Sequence, residues 1–195
     1  STVIQTTERW WQHYWEKIPQ LDLPSEEAEE VYYFSLFKLA GLTKEHAALL
    51  QGPWVEEYQM PDCSNDFHFN INVQMCYWPV YAANCPELLE PLFEKLKTWE
   101  PRLRQYAKLV FDIDDGIFLP MSVSDNGRWA ANFWPSFLDF ATTGWTAQLM
   151  WLHYRYSMDT KFLQTTAYPF MKGAMRVYEA VMEEENGQMV LPMST

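Results

Sequence analysis

Apolar residues recur at helical spacing at the start of the chain and predict two helices. The first covers Thr6 to Lys17, because large apolar side chains lie three or four positions apart there and in the following turn. These residues are Trp10, Trp11, Tyr14, Trp15 and Ile18. Pro19 ends it, and Pro24-Ser25 begins a second helix with acidic residues in its first turn. We expect Gly41 to end that helix as its C′ residue and a short helical turn to cover Thr43 to Leu50.

Prolines punctuate the next helical patterns. Val73 to Ala83 has a helical pattern that Pro79 should kink or interrupt. A longer helix is predicted from Pro86, in its first turn, to about Val110. Within it, Pro91 and Pro101 predict kinks or a split.

Two helices and one strand are predicted in the last third. Thr143 to Tyr156 carries an apolar stripe along one side. Asp159 to Glu184 forms another helix, interrupted near Pro169. Asn186-Gly187 turns the chain, and Gln188 to Met193 alternates like an edge strand.

Long segments without a clear period separate these helices. Residues 51–69 read as a loop, and residues 111–143 are irregular as well. Long loops in a compact domain are often functional. We therefore predict an all-α fold of helical hairpins with short β segments in loops, arranged as a toroid of paired helices with the long loops gathered at one end.

Residues 51–92 carry the densest candidate chemistry. They combine aromatic rings, amides and one histidine without a core period. Amides and histidine can bind hydroxyl groups, and flat rings can pack on the apolar faces of a pyranose. Aromatic residues are also abundant overall, with 10 Trp, 11 Tyr and 12 Phe. A carbohydrate groove and an aromatic-rich helical core both explain that abundance.

Charge and cysteine content exclude several classes. A net charge of −12, from 26 acidic and 14 basic residues, argues against nucleic acid and against an anionic membrane surface. Runs such as residues 25–30 and 183–185 are expected to be solvated helix faces. Cys63, Cys76 and Cys85 make an odd number with no zinc-site spacing, so we expect neither a disulfide framework nor a metal site. No cofactor is indicated, no apolar run reaches membrane-spanning length, and the compartment stays open.

The central motif resembles the catalytic domain of glycoside hydrolase family 95. The similar segments are residues 51–54 (QGPW), 68–79 (HFNINVQMCYWP), 84–88 (NCPEL), 144–156 (GWTAQLMWLHYRY), 159–163 (DTKFL) and 168–174 (YPFMKGA). They occur in the family's order and cover most of residues 45–195. The resemblance implies an (α/α)6 barrel, with this chain supplying about half of it, and activity on α-linked L-fucose or L-galactose.

The resemblance also implies an inverting mechanism. A pair of asparagines backed by an acidic residue activates a water molecule, and a Glu acts as general acid. Asn70 and Asn72 match the pair. Residues two apart face the same side only in an extended segment, so we predict that Asn70–Asn72 is extended. An amide is a poor base alone, so it would orient the water while a distant carboxylate supplies basicity.

Two departures from the family limit what this chain is expected to do alone. The family's general acid follows the loop at which this sequence ends, and the later carboxylate is further on. A His-rich Asn-x-Asp segment of the family is replaced here by residues 129–134 (WAANFW), which puts fucose specificity in question. We expect residues 1–195 to be one partial catalytic domain whose partner is the remainder of a longer parent chain. By itself it would not hydrolyse glycosides.

Five residues are candidate contacts for an oligosaccharide or glycan substrate. They are Trp54, His68, Trp134, Trp145 and Asp139. His68 could instead be a structural hydrogen bonder, and the three tryptophans could be core residues. Asn72, from the catalytic pair, could be the N-cap of a helix beginning at Val73. Asp112, Asp114 and Asp115 resemble a calcium loop only loosely, and a solvated loop is the preferred interpretation.

Two other function classes stay open. One is a carbohydrate-binding or structural module that keeps the barrel fold without catalysis. The other is a different (α/α)6 enzyme such as a phosphorylase, although phosphate binding needs a basic pocket that this acidic chain does not indicate.

Overall fold

The computed structural model describes residues 2–50, 59, 61–130 and 139–192, and most of these residues are helical. The helices are α1 (Val3–Lys17), α2 (Glu26–Thr43), α3 (Asn72–Tyr77), α4 (Glu90–Phe111), α5 (Ala141–Ser157), α6 (Thr160–Phe162) and α7 (Tyr168–Val181). Single 3-10 turns cover Asp62–Asn65, Trp78–Val80 and Pro86–Leu89, and Leu163–Ala167 is π-helical. The predicted all-α class is confirmed.

The strands are short and occur in loops, as expected. β1 (Phe67–His68) pairs antiparallel with β2 (Ser122–Val123), with His68 opposite Ser122. β3 (Glu183–Glu185) and β4 (Gln188–Val190) form an exposed hairpin. The prediction of residues 183–185 as a helix face was therefore wrong. Helix α7 ends at Val181 because the chain becomes extended at Met182 and enters the hairpin.

Capping side chains begin the first two helices. Thr2 and Gln5 form a capping box at α1, and the Ser25 hydroxyl accepts a hydrogen bond from the Ala28 amide at α2. Gly41 does not end α2, contrary to prediction, because the backbone stays helical and no atom crowds this glycine. The helix stops at Thr43, and the predicted helical turn over residues 43–50 is absent from these described residues.

The aromatic stripe of α1 packs on α2. Tyr14 is buried and donates a hydrogen bond to the Leu36 carbonyl at 3.2 Å. Trp11 lies 4.9 Å from Phe37 between ring centroids, and Trp15 contacts Tyr33 edge to face. Burial of the stripe therefore stabilises the α1–α2 pair.

The prolines lie at helix ends or interruptions, with the exception of Pro101. Pro79 lies in the 3-10 turn that ends α3, and Pro86 opens the turn before α4. Pro91 lies in the first turn of α4, where its missing N–H is harmless. Pro101 lies within α4, which continues without a split. The π-helical turn precedes Pro169, whose ring would clash with the Thr165 carbonyl in a regular α-helix.

One large apolar cluster joins most elements, with α5 packed against the π-helical turn and α7. Gly173 brings α7 close to Ile117, whose amide donates to the Gly173 carbonyl at 2.9 Å. All three cysteines are free, and burial raises the pKa of the Cys85 thiol to about 12. No helix within the described ranges is long and apolar enough to span a membrane.

Candidate functional site

Two buried phenylalanines orient His68. Phe67 and Phe69 are both almost fully buried, and the ring of Phe67 lies 5.2 Å from that of Trp99. Because neighbouring side chains in a strand point to opposite faces, His68 is directed away from this core. The Phe69 amide donates to the Met121 carbonyl at 2.7 Å, which fixes the end of β1.

His68 belongs to a three-residue polar network, which we call the Asp66 cluster (Asp66, His68 and Ser122). Asp66 Oδ1 lies 2.9 Å from His68 Nδ1, and Asp66 Oδ2 accepts a short hydrogen bond from the Ser122 hydroxyl. The side chains of Asp66 and His68 are 13% and 14% exposed. The antiparallel register brings Ser122 to this position although it is distant in sequence.

The Asp66 cluster lines a groove of about 610 Å³. Its other lining residues are Leu49, Cys63, Ser64, Asn65, Phe67, Ser124, Asp125 and Ala130. The segment 63–65 has three consecutive residues with positive φ, near 50°. Such backbone costs about 1–3 kcal/mol per residue and is concentrated at functional sites, where surrounding contacts hold it in place.

The network does not have the bonding order of a nucleophilic triad. The Ser122 hydroxyl is bonded to the carboxylate, not to the imidazole. An activated serine needs a base at its own hydroxyl, and here the base would be the second carboxylate oxygen of an already paired Asp66. The arrangement instead suits hydrogen bonding to a polar, neutral ligand.

Asn70 and Asn72 follow β1 directly but are not extended. Asn70 is exposed in a turn, and Asn72 is the first residue of α3. Ile71 between them has φ −158° and ψ −41°. The extended prediction was wrong, because β1 ends at His68 and the chain turns at once into the helix. The N-cap alternative was also wrong, since the N-cap residue is Ile71.

Trp145 lies on α5, and none of its contacts with the described residues is to the Asp66 cluster. It is half-buried and meets Trp78 edge to face, with ring centroids 6.4 Å apart. Gln74 of α3 donates a short hydrogen bond to the Phe69 carbonyl, and its amide nitrogen lies 3.4 Å from the Thr146 hydroxyl. The motif helix α3 is thus attached to the first turns of α5.

Asp139 is buried and lies one residue before Phe140, the N-cap of helix α5. Its Oδ1 accepts a hydrogen bond from the Thr142 amide at 3.0 Å. Burial raises the pKa of Tyr178, and the nearby Asp139 charge raises it further. The Tyr178 hydroxyl donates to the Phe140 carbonyl at 2.8 Å. These contacts give Asp139 a structural role at the start of α5.

The remaining candidates divide into two groups. Trp54 and Trp134 lie outside the described residues. The acidic loop after α4 is exposed, and its carboxylates pair with cations: Lys108 with Asp112 and Asp114, and Arg176 with Asp115. Within the described ranges, no group of three His, Cys, Asp or Glu side chains is arranged to hold a metal ion.

Sequence reasoning missed Asp66 and Ser122. Asp66 was detectable, because it lies two residues before His68 and therefore on the same face of an extended segment. Ser122 carried no such signal, since only the β1–β2 pairing brings it within reach of Asp66.

Comparison with known proteins gives three findings. Residues 36–195 match the sequence model described as "Glycosyl hydrolase family 95 catalytic domain". The chain is similar to the "Probable alpha-fucosidase A" of Aspergillus niger, with 35% identity over 131 residues, or 66% of this chain and 16% of that protein. It is also similar to "Alpha-L-fucosidase 2" of Arabidopsis thaliana, with 30% identity over 132 residues, or 65% of this chain and 15% of that protein.

Proposed function

The chain belongs to glycosyl hydrolase family 95, and we propose that it is a portion of a catalytic domain that hydrolyses α-linked L-fucose or L-galactose residues. The observation that carries the proposal is the match of residues 36–195 to the family's catalytic domain. Both curated relatives carry names of α-fucosidases, which favours fucose-type sugars. The groove beside His68 is lined mainly by neutral side chains, as a neutral sugar requires.

A longer enzyme is part of the proposal. The chain spans only 15–16% of the length of these curated relatives. We assign it about half of an (α/α)6 toroid, with the remainder of the polypeptide as its partner. The helical content, with short strands confined to loops, supports this assignment. In that enzyme, the general acid and the carboxylate that assists the water come from other segments.

Asn70 and Asn72 are proposed to orient the attacking water of an inverting hydrolysis. They lie at the end of β1 and the start of α3, within four residues of His68. This turn is held in place by the hydrogen bond from Gln74 to the Phe69 carbonyl and by the burial of Val73. An amide oxygen held in place can accept a hydrogen bond from water, and the carboxylate from another segment then removes the proton.

His68 and four aromatic or acidic residues are proposed as sugar contacts. His68 lines the groove and has the clearest support. Trp54, Trp134 and Trp145 supply flat faces for a pyranose. Asp139 is proposed to bind a sugar hydroxyl, in addition to accepting the hydrogen bond from the Thr142 amide.

The alternatives have less support. Phosphorolysis requires cations around phosphate, yet the groove is lined by Asp66 and Asp125 and by no Lys or Arg within the described residues. A non-catalytic sugar-binding module would keep His68 and the aromatic contacts but would not need Asn72. Substitution of Asn72 therefore distinguishes a non-catalytic sugar-binding module from the proposed enzyme.

The test is glycosidase kinetics in the full enzyme that carries this chain. On a panel of aryl α-L-glycosides, we expect Asn72→Ala to lower kcat/KM by about a hundredfold or more, the usual scale for loss of a group that activates the nucleophile. Gln105→Ala, which removes an exposed amide from α4, is the matched control and should leave kcat/KM unchanged. An active enzyme whose kcat/KM survives Asn72→Ala would refute the role of Asn72.

A further inference from the structure

Asp66 is a mostly buried carboxylate that forms no ion pair with a Lys or Arg in the described part of the chain. Its side chain is 13% exposed, and its hydrogen-bond partners are the His68 ring and the Ser122 hydroxyl. Burying a carboxylate is unfavourable unless hydrogen bonds replace its water. The two bonds meet that need, and they make the geometry of Asp66 depend on His68 and Ser122.

The backbone around Asp66 is fixed on both sides. The Asp66 carbonyl accepts a hydrogen bond from the Leu50 amide at 2.8 Å, and the Asp66 amide donates to the Cys63 carbonyl at 3.3 Å. Phe67, the next residue, is packed on Trp99. The carboxylate is therefore held by a rigid frame, and a rigid acceptor can impose an orientation on the ring that it contacts.

The contact to Asp66 determines which nitrogen of His68 carries the proton. An ionised carboxylate only accepts hydrogen bonds, so Nδ1, at 2.9 Å, is the donor. In a neutral imidazole the other nitrogen, Nε2, is then an acceptor. Among the described residues Nε2 has no hydrogen-bond partner, and His68 lines the groove.

We propose that Asp66 is a positioning residue that holds His68 in the Nδ1–H tautomer, so that Nε2 accepts a hydrogen bond from a sugar hydroxyl. Ser122 also fixes the carboxylate, because its hydroxyl donates a hydrogen bond to the second oxygen, Oδ2. The inference rests on the proposed function for the identity of the ligand. The tautomer itself follows from the geometry of the Asp66 cluster alone.

Because Nε2 accepts, the ligand must present a hydrogen-bond donor to His68. An acceptor on Nε2 selects a ligand group that can donate, which a hydroxyl does and an ether oxygen does not. A deoxy sugar that lacks the donated hydroxyl would leave Nε2 unpaired and bind less well. Without Asp66, a neutral imidazole is free to move its proton to Nε2, which would then present a donor to the groove.

The tautomer is measured by NMR of the full enzyme with ¹⁵N-labelled histidine, at about pH 8.5, where an unperturbed imidazole is neutral. The chain has four histidines, and His68→Gln identifies the His68 signals. We expect the Nδ1–H form in the wild type and in Asp66→Asn, whose amide oxygen still accepts from Nδ1. We expect the Nε2–H form in Asp66→Ala. A wild-type His68 in the Nε2–H form would overturn the proposal.

The functional part is measured by a double-mutant cycle in the full enzyme, with an aryl α-L-fucoside. We expect Asp66→Ala and His68→Ala each to raise KM about tenfold or more, as for loss of one hydrogen bond to the ligand. The double variant should be no worse than His68→Ala alone, because Asp66 acts through His68. Asp66→Asn should stay within about threefold of wild type, and Asp114→Ala, an exposed control, should be unchanged.

The outcomes separate this inference from the proposed function. Additive effects in the double variant would mean that Asp66 has a structural role independent of His68, and would overturn the positioning role. A wild-type enzyme that hydrolyses none of the glycosides would instead refute the proposed function and the sugar hydroxyl with it. In that case the NMR result still decides whether Asp66 sets the His68 tautomer.

Discussion

At the scale of single residues, two helical glycines have opposite surroundings. A Cβ on Gly173 would lie 2.6 Å from Ile117 Cγ1 and 3.0 Å from Ile117 Cβ, while a Cβ on Gly41 would meet no atom within 4 Å. Ile117 cannot retreat freely, because its amide is bonded to the Gly173 carbonyl. The close approach of α7 to residue 117 thus requires glycine at 173, and nothing comparable acts at 41.

Alanine substitutions at Gly173 and Gly41 should have opposite effects on the free energy of unfolding, measured by urea titration of the chain. Gly173→Ala should lower the free energy of unfolding by about 1–3 kcal/mol through overpacking. Gly41→Ala should raise it by about 0.5–1 kcal/mol, because alanine loses less entropy in a helix interior. If Gly173→Ala is as stable as Gly41→Ala, the contact between α7 and Ile117 is not as described.

Asn70 and Asn72 show the limit of residue-level prediction. The sequence shows their identity and order along the chain, but it did not predict their backbone conformation. An extended segment would place both amides on the same side, whereas the chain turns at Ile71 and Asn72 begins α3. The turn is stabilised by Gln74 and by burial of Phe69, which are tertiary effects that no local pattern contains.

At the scale of elements, α4, α5 and α6 meet around a histidine of α5 in an aromatic environment. The His153 ring lies 5.1 Å from the Phe93 ring and 4.6 Å from the Phe162 ring. Its Nδ1 is buried and has no hydrogen-bond partner among the described residues. Burial lowers the pKa of His153, and the opposing charge of Asp159 offsets part of that effect.

The lowered pKa predicts a dependence of stability on pH. The unfolded chain binds a proton on His153 near pH 6.5, while the folded chain binds it only at lower pH, so stability is lost as pH falls from about 6.5. His153→Phe should reduce the decrease in unfolding free energy between pH 7 and pH 5, measured by urea titration. His13→Gln, at an exposed site, is the control. An unchanged decrease in His153→Phe would contradict this account.

Element boundaries were predictable wherever a local signal set them. Ser25 and the prolines at 79, 86 and 169 mark where helices begin or are interrupted. The boundary at Gly41 failed because a glycine permits a helix end without requiring one. The β1–β2 pairing could not be predicted, since it joins two-residue strands from distant loops.

At the scale of the whole molecule, the described residues form one main apolar cluster that joins the N-terminal helices to α3, α4, α5 and α7. The family match begins at residue 36, within α2. Sequence motifs were sufficient to recognise the family and the helical class. The groove was not predictable, because its lining comes from separate loops around β1 and β2.

In the proposed function, this chain contributes water-orienting asparagines to an inverting α-L-glycosidase of family 95. The most direct measurement is ¹H NMR of an aryl α-L-fucoside during hydrolysis by the full enzyme, with the 195-residue chain alone as the control. We predict that β-L-fucose appears first and that the chain alone releases no sugar. First appearance of α-L-fucose, or turnover by the isolated chain, would contradict this account.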